Sequence, residues 1–188
     1  KEGTHGSVGT TPELRHELLT GYFSAITSMD ENIGRLIDWL EENDLRENTL
    51  VIFTADNGMN MGHHGIWGKG NGTYPANMYD TSVKVPTLMS RPGHIPQGHV
   101  ERNLLSHYDL MPTILDYVRL GYVIGNERDS LPGTSFAGIL DGEVQTGDPS
   151  VVVLDEYGPT RMIRTQNLKY IHRYPDGPHE FYDLANDP

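Results

Sequence analysis

Val51-Ile52-Phe53-Thr54-Ala55-Asp56-Asn57-Gly58 is an apolar, β-rich run that stops abruptly on a carboxylate, a carboxamide and a glycine. Residues 50–55 are continuously apolar, the pattern of a strand buried on both faces of a sheet. In open α/β sheets, ligands bind just beyond the carboxyl ends of strands, which is where Asp56 and Asn57 fall. Their hard oxygen atoms are the donors that Ca²⁺ and Mg²⁺ prefer. Gly62-His63-His64-Gly65-Ile66-Trp67-Gly68-Lys69 follows at short range and ends in a mobile positive charge. Together the two stretches read as part of a site for a divalent metal and an anion.

Upstream, Thr11 followed by Pro12 suits a helix N-cap and first helical position. Leu14, Leu18, Tyr22, Ile26, Met29, Ile33, Leu36, Ile37 and Leu40 recur at three- and four-residue steps. This spacing predicts a long amphipathic helix over 12–42, which Asn43-Asp44 ends. Residues 1–10 are rich in Gly, Thr and Ser and read as a loop. Downstream, 56–82 carries many glycines and no clear period, and a loop that long is usually functional or disordered. A strand is expected over 85–90, a helix over 107–119 and turns over 121–150. Four short strands follow, over 151–156, 162–165, 169–174 and 180–184, punctuated by Pro159 and Asp176-Gly177-Pro178. That order predicts an α/β layer with a small C-terminal antiparallel sheet.

The chain has 188 residues, enough for one domain with a substantial core. Its 36% hydrophobic and 21% charged content suits a globular protein. A net charge of −12 opposes general attraction to nucleic acid, yet leaves room for a local positive pocket around Lys69. The absence of cysteine excludes disulfides, thiolate metal sites and cysteine nucleophiles. No apolar stretch is long enough to predict a membrane span. The opening Lys1-Glu2-Gly3-Thr4-His5-Gly6 is no signal peptide, and the chain reads as a piece of a longer protein. The compartment stays open between secreted, periplasmic and cytoplasmic.

Each motif has a plainer reading. Asn57-Gly58 is also a common turn signal, and a metal needs more than two protein oxygens. Lys69 alone is a solvated surface charge more often than a ligand. Glycines on both sides, however, allow close backbone approach to an anion. A phosphate loop is excluded, because its first glycine position holds His63 and Gly70 follows the lysine. His63 and His64 are adjacent, a poor spacing for joint zinc ligation, and His16-Glu17 lacks the second histidine of a zinc protease motif. A loop histidine can serve as proton donor or anion ligand, or simply be hydrogen-bonded. Asp30-Glu31 reads as a solvated helix face, and Asn71-Gly72-Thr73 fits a weak glycosylation pattern. Trp67 is expected to pack the base of the loop. Asn71, Tyr74 and Asn77 lie where they could shape a pocket. Ser90 and Ser130 have no context that would activate a nucleophile.

A family resemblance then becomes specific. Ser24-Ala25-Ile26-Thr27-Ser28-Met29-Asp30-Glu31-Asn32-Ile33-Gly34-Arg35-Leu36 resembles the long helix of the type I sulfatases. Thr54-Ala55-Asp56-Asn57-Gly58 resembles their metal-binding turn, and Gly62 to Lys69 the segment carrying their sulfate-binding lysine. Val85-Pro86 through Arg91-Pro92-Gly93, Asp109-Leu110-Met111-Pro112-Thr113-Ile114-Leu115, and Phe181-Tyr182-Asp183-Leu184 with Asp187-Pro188 are similar to later family segments, in the same order.

The resemblance implies an α/β fold, a portion of an alkaline-phosphatase-like α/β/α sandwich with a small C-terminal antiparallel sheet. It also implies hydrolysis of sulfate esters with a divalent metal, usually Ca²⁺, with Mg²⁺ as the alternative. By motif position, Asp56 and Asn57 would ligate the metal, Lys69 would bind the sulfate or its bridging oxygen, and His64 is a weaker candidate near the substrate. The family's nucleophile is a formylglycine made within a C/S-x-P-x-R motif. Ser90-Arg91-Pro92-Gly93-His94 and Ser130-Leu131-Pro132-Gly133-Thr134 both lack its arginine. Residues 1–188 are therefore expected to form the C-terminal part of a sulfatase domain. In it, 1–120 belongs to the main sheet layer, and 121–188 holds turns and the C-terminal strands. The expected partners are a sulfate-ester small molecule or carbohydrate and the remainder of the sulfatase chain, with homo-oligomers left open and no nucleic acid or membrane. The alternatives are a phosphatase or phosphonate monoester hydrolase of the same superfamily, and a non-catalytic binding or structural piece.

Overall fold

The computed structural model describes residues 11–120, 131–143, 149–156 and 158–187. The loop expected over 1–10, and Ser130 with the rest of 121–130 and with 144–148 of the turn-rich 121–150 stretch, lie outside the described residues. The chain falls into two units, Lys1–Pro92 and Gly93–Pro188.

The first unit opens with α1 (Pro12–Glu42), bounded as its sequence predicts. Thr11 is extended, and its hydroxyl accepts the Leu14 N–H at 3.2 Å. Pro12 has no N–H left to satisfy at that end. At the other end the Asn43 side-chain amide donates to the Trp39 carbonyl at 2.8 Å, and Asp44 turns the chain away at φ 58°. No residue of α1 is buried, and Phe23, Leu36 and Trp39 are exposed.

The chain then forms β1 (Val51–Phe53), β2 (Asn60–Met61), β3 (Trp67–Gly68), α2 (Asp80–Val83) and β4 (Leu88–Ser90). β1 pairs antiparallel with β4, Ile52 opposite Met89. Arg46 secures that edge, its guanidinium donating to the Ser90 hydroxyl at 2.6 Å. The expectation of burial on both faces is corrected here. β1 is only half-buried, with one antiparallel neighbour among the described residues. Two-sided burial needs sheet neighbours and covering layers. The glycine-rich stretch is also not featureless. β2 and β3 form a short hairpin, and single 3₁₀ turns sit at 63–65 and 70–72.

The second unit contains α3 (Leu110–Tyr117), α4 (Ala137–Leu140), β5 (Val151–Leu154), β6 (Thr160–Arg164), β7 (Leu168–Arg173) and β8 (Glu180–Asp183). A 3₁₀ turn at 107–109 leads into α3, closed by a capping box in which the Asp109 carboxylate accepts the Ser106 N–H. Asp109 also accepts the Thr134 N–H at 2.8 Å, and the Thr113 hydroxyl accepts the Phe136 N–H at 2.9 Å. Buried polar groups thus staple the segment before α4 onto α3. The four strands form an antiparallel meander in sequence order, as the turn residues between them predict. Lys169, Ile171 and Arg173 turn to its buried face. Among the described residues of this unit, Phe136, Ile139, Leu140, Met162 and Ile171 are the buried apolar ones, and the Arg173 guanidinium meets Glu180 at 2.8 Å. The whole is mixed helix and sheet with small antiparallel sheets.

Candidate metal and anion site

Asp56 and Asn57 leave the end of β1 as the sequence suggests, and Asp56 is exposed. The Asn57 side-chain nitrogen donates to the Gly58 carbonyl at 2.8 Å, so its amide oxygen is the atom able to serve a cation. Gly58 is held from behind, its N–H donating to the Ser82 carbonyl at 2.9 Å. A side chain there would overlap the Thr81 carbonyl, so only glycine lets the two segments approach this closely.

Lys69 follows β3 directly, in extended conformation and exposed. The hairpin register relates the two motifs. Asn60 pairs with Gly68 and Met61 with Trp67, and the Gly62 N–H bonds to the Ile66 carbonyl at 2.8 Å. The chain therefore enters the hairpin from Asp56-Asn57-Gly58 and leaves it through Lys69 at the same open end. His64 sits at the opposite, closed end. It has φ 54°, is exposed, and stacks on the Tyr79 ring at 4.2 Å. The register thus puts Lys69 at the hairpin end that the Asp56–Asn57 turn leads into, and His64 at the other end. Trp67 is half-buried at the base of the loop.

Beneath Lys69 lies a set of buried polar side chains, of which the sequence singled out only Asn77, and that as a pocket residue. Asn60 is fully buried, and its side-chain nitrogen donates to the Gly68 carbonyl at 3.2 Å and to the Ser82 hydroxyl at 2.6 Å. The Ser82 hydroxyl donates on to the Asn77 amide oxygen at 2.6 Å. Asn77 in turn donates to the Gly70 carbonyl at 3.0 Å and to the Thr73 hydroxyl at 3.2 Å. Asn77 therefore supports the loop from inside and does not line a pocket, while Tyr74 is 86% exposed. In a glycine-rich stretch, Asn and Ser read as turn residues, so nothing local signals that they are buried.

The donor set fits a hard divalent cation in part. Asp56 and Asn57 give a carboxylate and an amide oxygen, whereas Ca²⁺ takes about six to eight oxygens. No group of three or more His, Asp or Glu side chains suited to a metal occurs among the described residues. The chemistry on hand is two oxygen donors on the turn after β1 and a lysine ammonium after β3, groups of the kind that oppose charge on a polyoxygenated anion.

Comparison with known proteins gives the family. The sulfatase family model matches residues 2–120. The chain belongs to the sulfatase family. A second model, N-sulphoglucosamine sulphohydrolase C-terminal, matches residues 62–188. A choline-sulfatase from Rhizobium meliloti is 30% identical over 169 residues, covering 89% of this chain and 31% of the relative. The chain thus spans about a third of the length of the curated relatives it matches. A phosphonate monoester hydrolase from Silicibacter pomeroyi superposes with a TM-score of 0.67 at 27% identity, covering 83% of this chain and 32% of that one. A Bacteroides thetaiotaomicron structure at 24% identity gives a TM-score of 0.71 over 97% of this chain and 39% of its own, which carries the fold alone. The fold is that of the alkaline-phosphatase-like sulfatases, a family of sulfuric ester hydrolases whose chemistry uses a divalent metal and a formylglycine.

Proposed function

We propose that this chain supplies one wall of the active site of a sulfuric ester hydrolase, within a sulfatase domain to which 1–120 and 121–188 both belong. Asp56 and Asn57 hold the cation. A carboxylate beside a neutral amide oxygen suits the loose oxygen shell of Ca²⁺ better than the strict octahedron of Mg²⁺. When bound, the cation supplies positive charge against the sulfuryl oxygens. Lys69 donates from its ammonium to a sulfuryl oxygen or to the bridging ester oxygen, where negative charge grows as the S–O bond breaks. His64, orientated by Tyr79, is a substrate contact at the far end of the hairpin. The nucleophile is a formylglycine supplied by another part of the sulfatase chain. The substrate is the sulfate ester of a small alcohol or a carbohydrate, a class supported for the ester by the choline-sulfatase relative and for the sugar by the sulphoglucosamine family model.

The observation that carries this reading is the hairpin register, which delivers the Asp56–Asn57 turn and Lys69 to one end of the same element. The test uses the full-length protein containing this chain, with 4-nitrophenyl sulfate as substrate. Asp56→Asn and Lys69→Ala are each expected to lower kcat/KM by about a hundredfold or more, and chelation to abolish turnover until Ca²⁺ is restored. Full activity in both variants would overturn it. Hydrolysis of phosphonate monoesters is a second reading, favoured by the Silicibacter pomeroyi structure. A higher kcat/KM on 4-nitrophenyl phenylphosphonate than on the sulfate would select it.

A further inference from the structure

We infer that Ser82 is the positioning residue that fixes the backbone on both sides of Lys69 and ties it to the metal turn; this rests on the role given to Lys69 above. Ser82 is 4% exposed and uses both of its polar parts. Its carbonyl receives the Gly58 N–H at 2.9 Å, beside Asn57. Its hydroxyl accepts from Asn60 and donates to Asn77, each at 2.6 Å. Asn60 then secures the Gly68 carbonyl, in the peptide leading into Lys69, and Asn77 secures the Gly70 carbonyl just beyond it, with a longer contact to the Lys69 carbonyl at 3.5 Å.

The hydrogen bonds run in one direction. The Asn60 nitrogen spends its two protons on Gly68 and Ser82, while its oxygen accepts from Thr81. The Asn77 nitrogen turns its two protons to Gly70 and Thr73, with the Lys69 carbonyl a longer third contact at 3.5 Å, while its oxygen accepts from Ser82. The serine hydroxyl, at once acceptor and donor, is the link that joins these two saturated amides. Buried networks of this kind are stiff when complete and costly when one member is lost. An exposed, long, flexible lysine gains a defined position only if its own backbone is immobile.

Ser82→Ala removes the hydroxyl and keeps the carbonyl, so it separates the two ties. In the full-length protein, amide hydrogen exchange is expected to quicken over 68–78 and to stay slow at Gly58. Turnover of 4-nitrophenyl sulfate is expected to fall by about tenfold to a hundredfold, carried by kcat. The deciding measurement is the double variant. If Ser82 acts through Lys69, Ser82→Ala adds no further loss to Lys69→Ala. Should Ser82→Ala fail to fold, Ser82→Cys, which keeps a weak donor, is read in the same way. Unchanged exchange over 68–78, or fully additive losses in the double variant, overturns the inference. If Lys69→Ala alone leaves turnover intact, the functional reading fails, and exchange over 68–78 still decides the role of Ser82.

Discussion

Gly58 shows how a single missing methyl group sets the site. The glycine brings the Asp56–Asn57 turn against Thr81 and Ser82, and any Cβ must displace the Thr81 carbonyl. Gly58→Ala is expected to cost about 1–3 kcal/mol through overpacking and to weaken Ca²⁺ binding, as thermal unfolding and calcium titration of the full-length protein would measure. Glu101 offers a second single-residue test. The Asn103 N–H, supported by the Arg102 N–H and by His99, holds its carboxyl below the usual carboxylate range against the opposing pull of burial; both N–H groups lie at 2.7 Å. A lowered acid stabilises the folded state above the ordinary carboxylate range and loses that contribution as pH falls through its own value. Glu101→Gln is therefore expected to flatten the acid limb of a Tm-against-pH curve and to reduce amide protection at Asn103 near neutrality. At this scale the sequence was legible where the signal is local. Asp56-Asn57-Gly58 announces a turn by itself, whereas Asn60, Asn77 and Ser82 become a network only when residues about twenty positions apart meet.

Elements with strong periodicity were legible from end to end. Thr11 and Pro12 mark the start of α1, and Asn43-Asp44 its stop, because each satisfies or ends a backbone hydrogen-bond ladder on its own. The meander strands follow from the turn residues that punctuate them, whereas the burial of Lys169 and Arg173 beside Ile171 on one face was not legible. The pairing of β1 was not legible. An apolar run of that length suits either sheet type, and the direction of its neighbour depends on the route of the intervening chain. Packing within the meander gives another test. Thr160 is fully buried, and its hydroxyl has no partner among the described residues. A buried hydroxyl without a partner carries its desolvation cost uncompensated. Thr160→Val is expected to raise stability by about 1 kcal/mol, read as a higher denaturation midpoint with an unchanged m-value. A lower midpoint would place an acceptor there.

For the chain as a whole, the notable property is how much apolar side chain is left facing outward. Phe23, Leu36 and Trp39 on α1 are exposed, as are Leu154, Ile163 and Phe181 on the outer face of the meander. Exposed patches of this extent commonly mark surfaces that pack against something else. The 188-residue chain produced alone is expected to bind a hydrophobic dye and to self-associate, which light scattering would detect. It is also expected to show no turnover of aryl sulfates, since neither S-x-P sequence carries the family's arginine. Measurable hydrolysis by a preparation free of full-length enzyme would contradict this. The helix that opens the chain also offers a practical reporter. With no side chain of α1 buried, trypsin has open access to Arg15 and Arg35, both exposed. The rate of cutting there, followed by mass spectrometry, becomes a clock that stops when a covering surface docks.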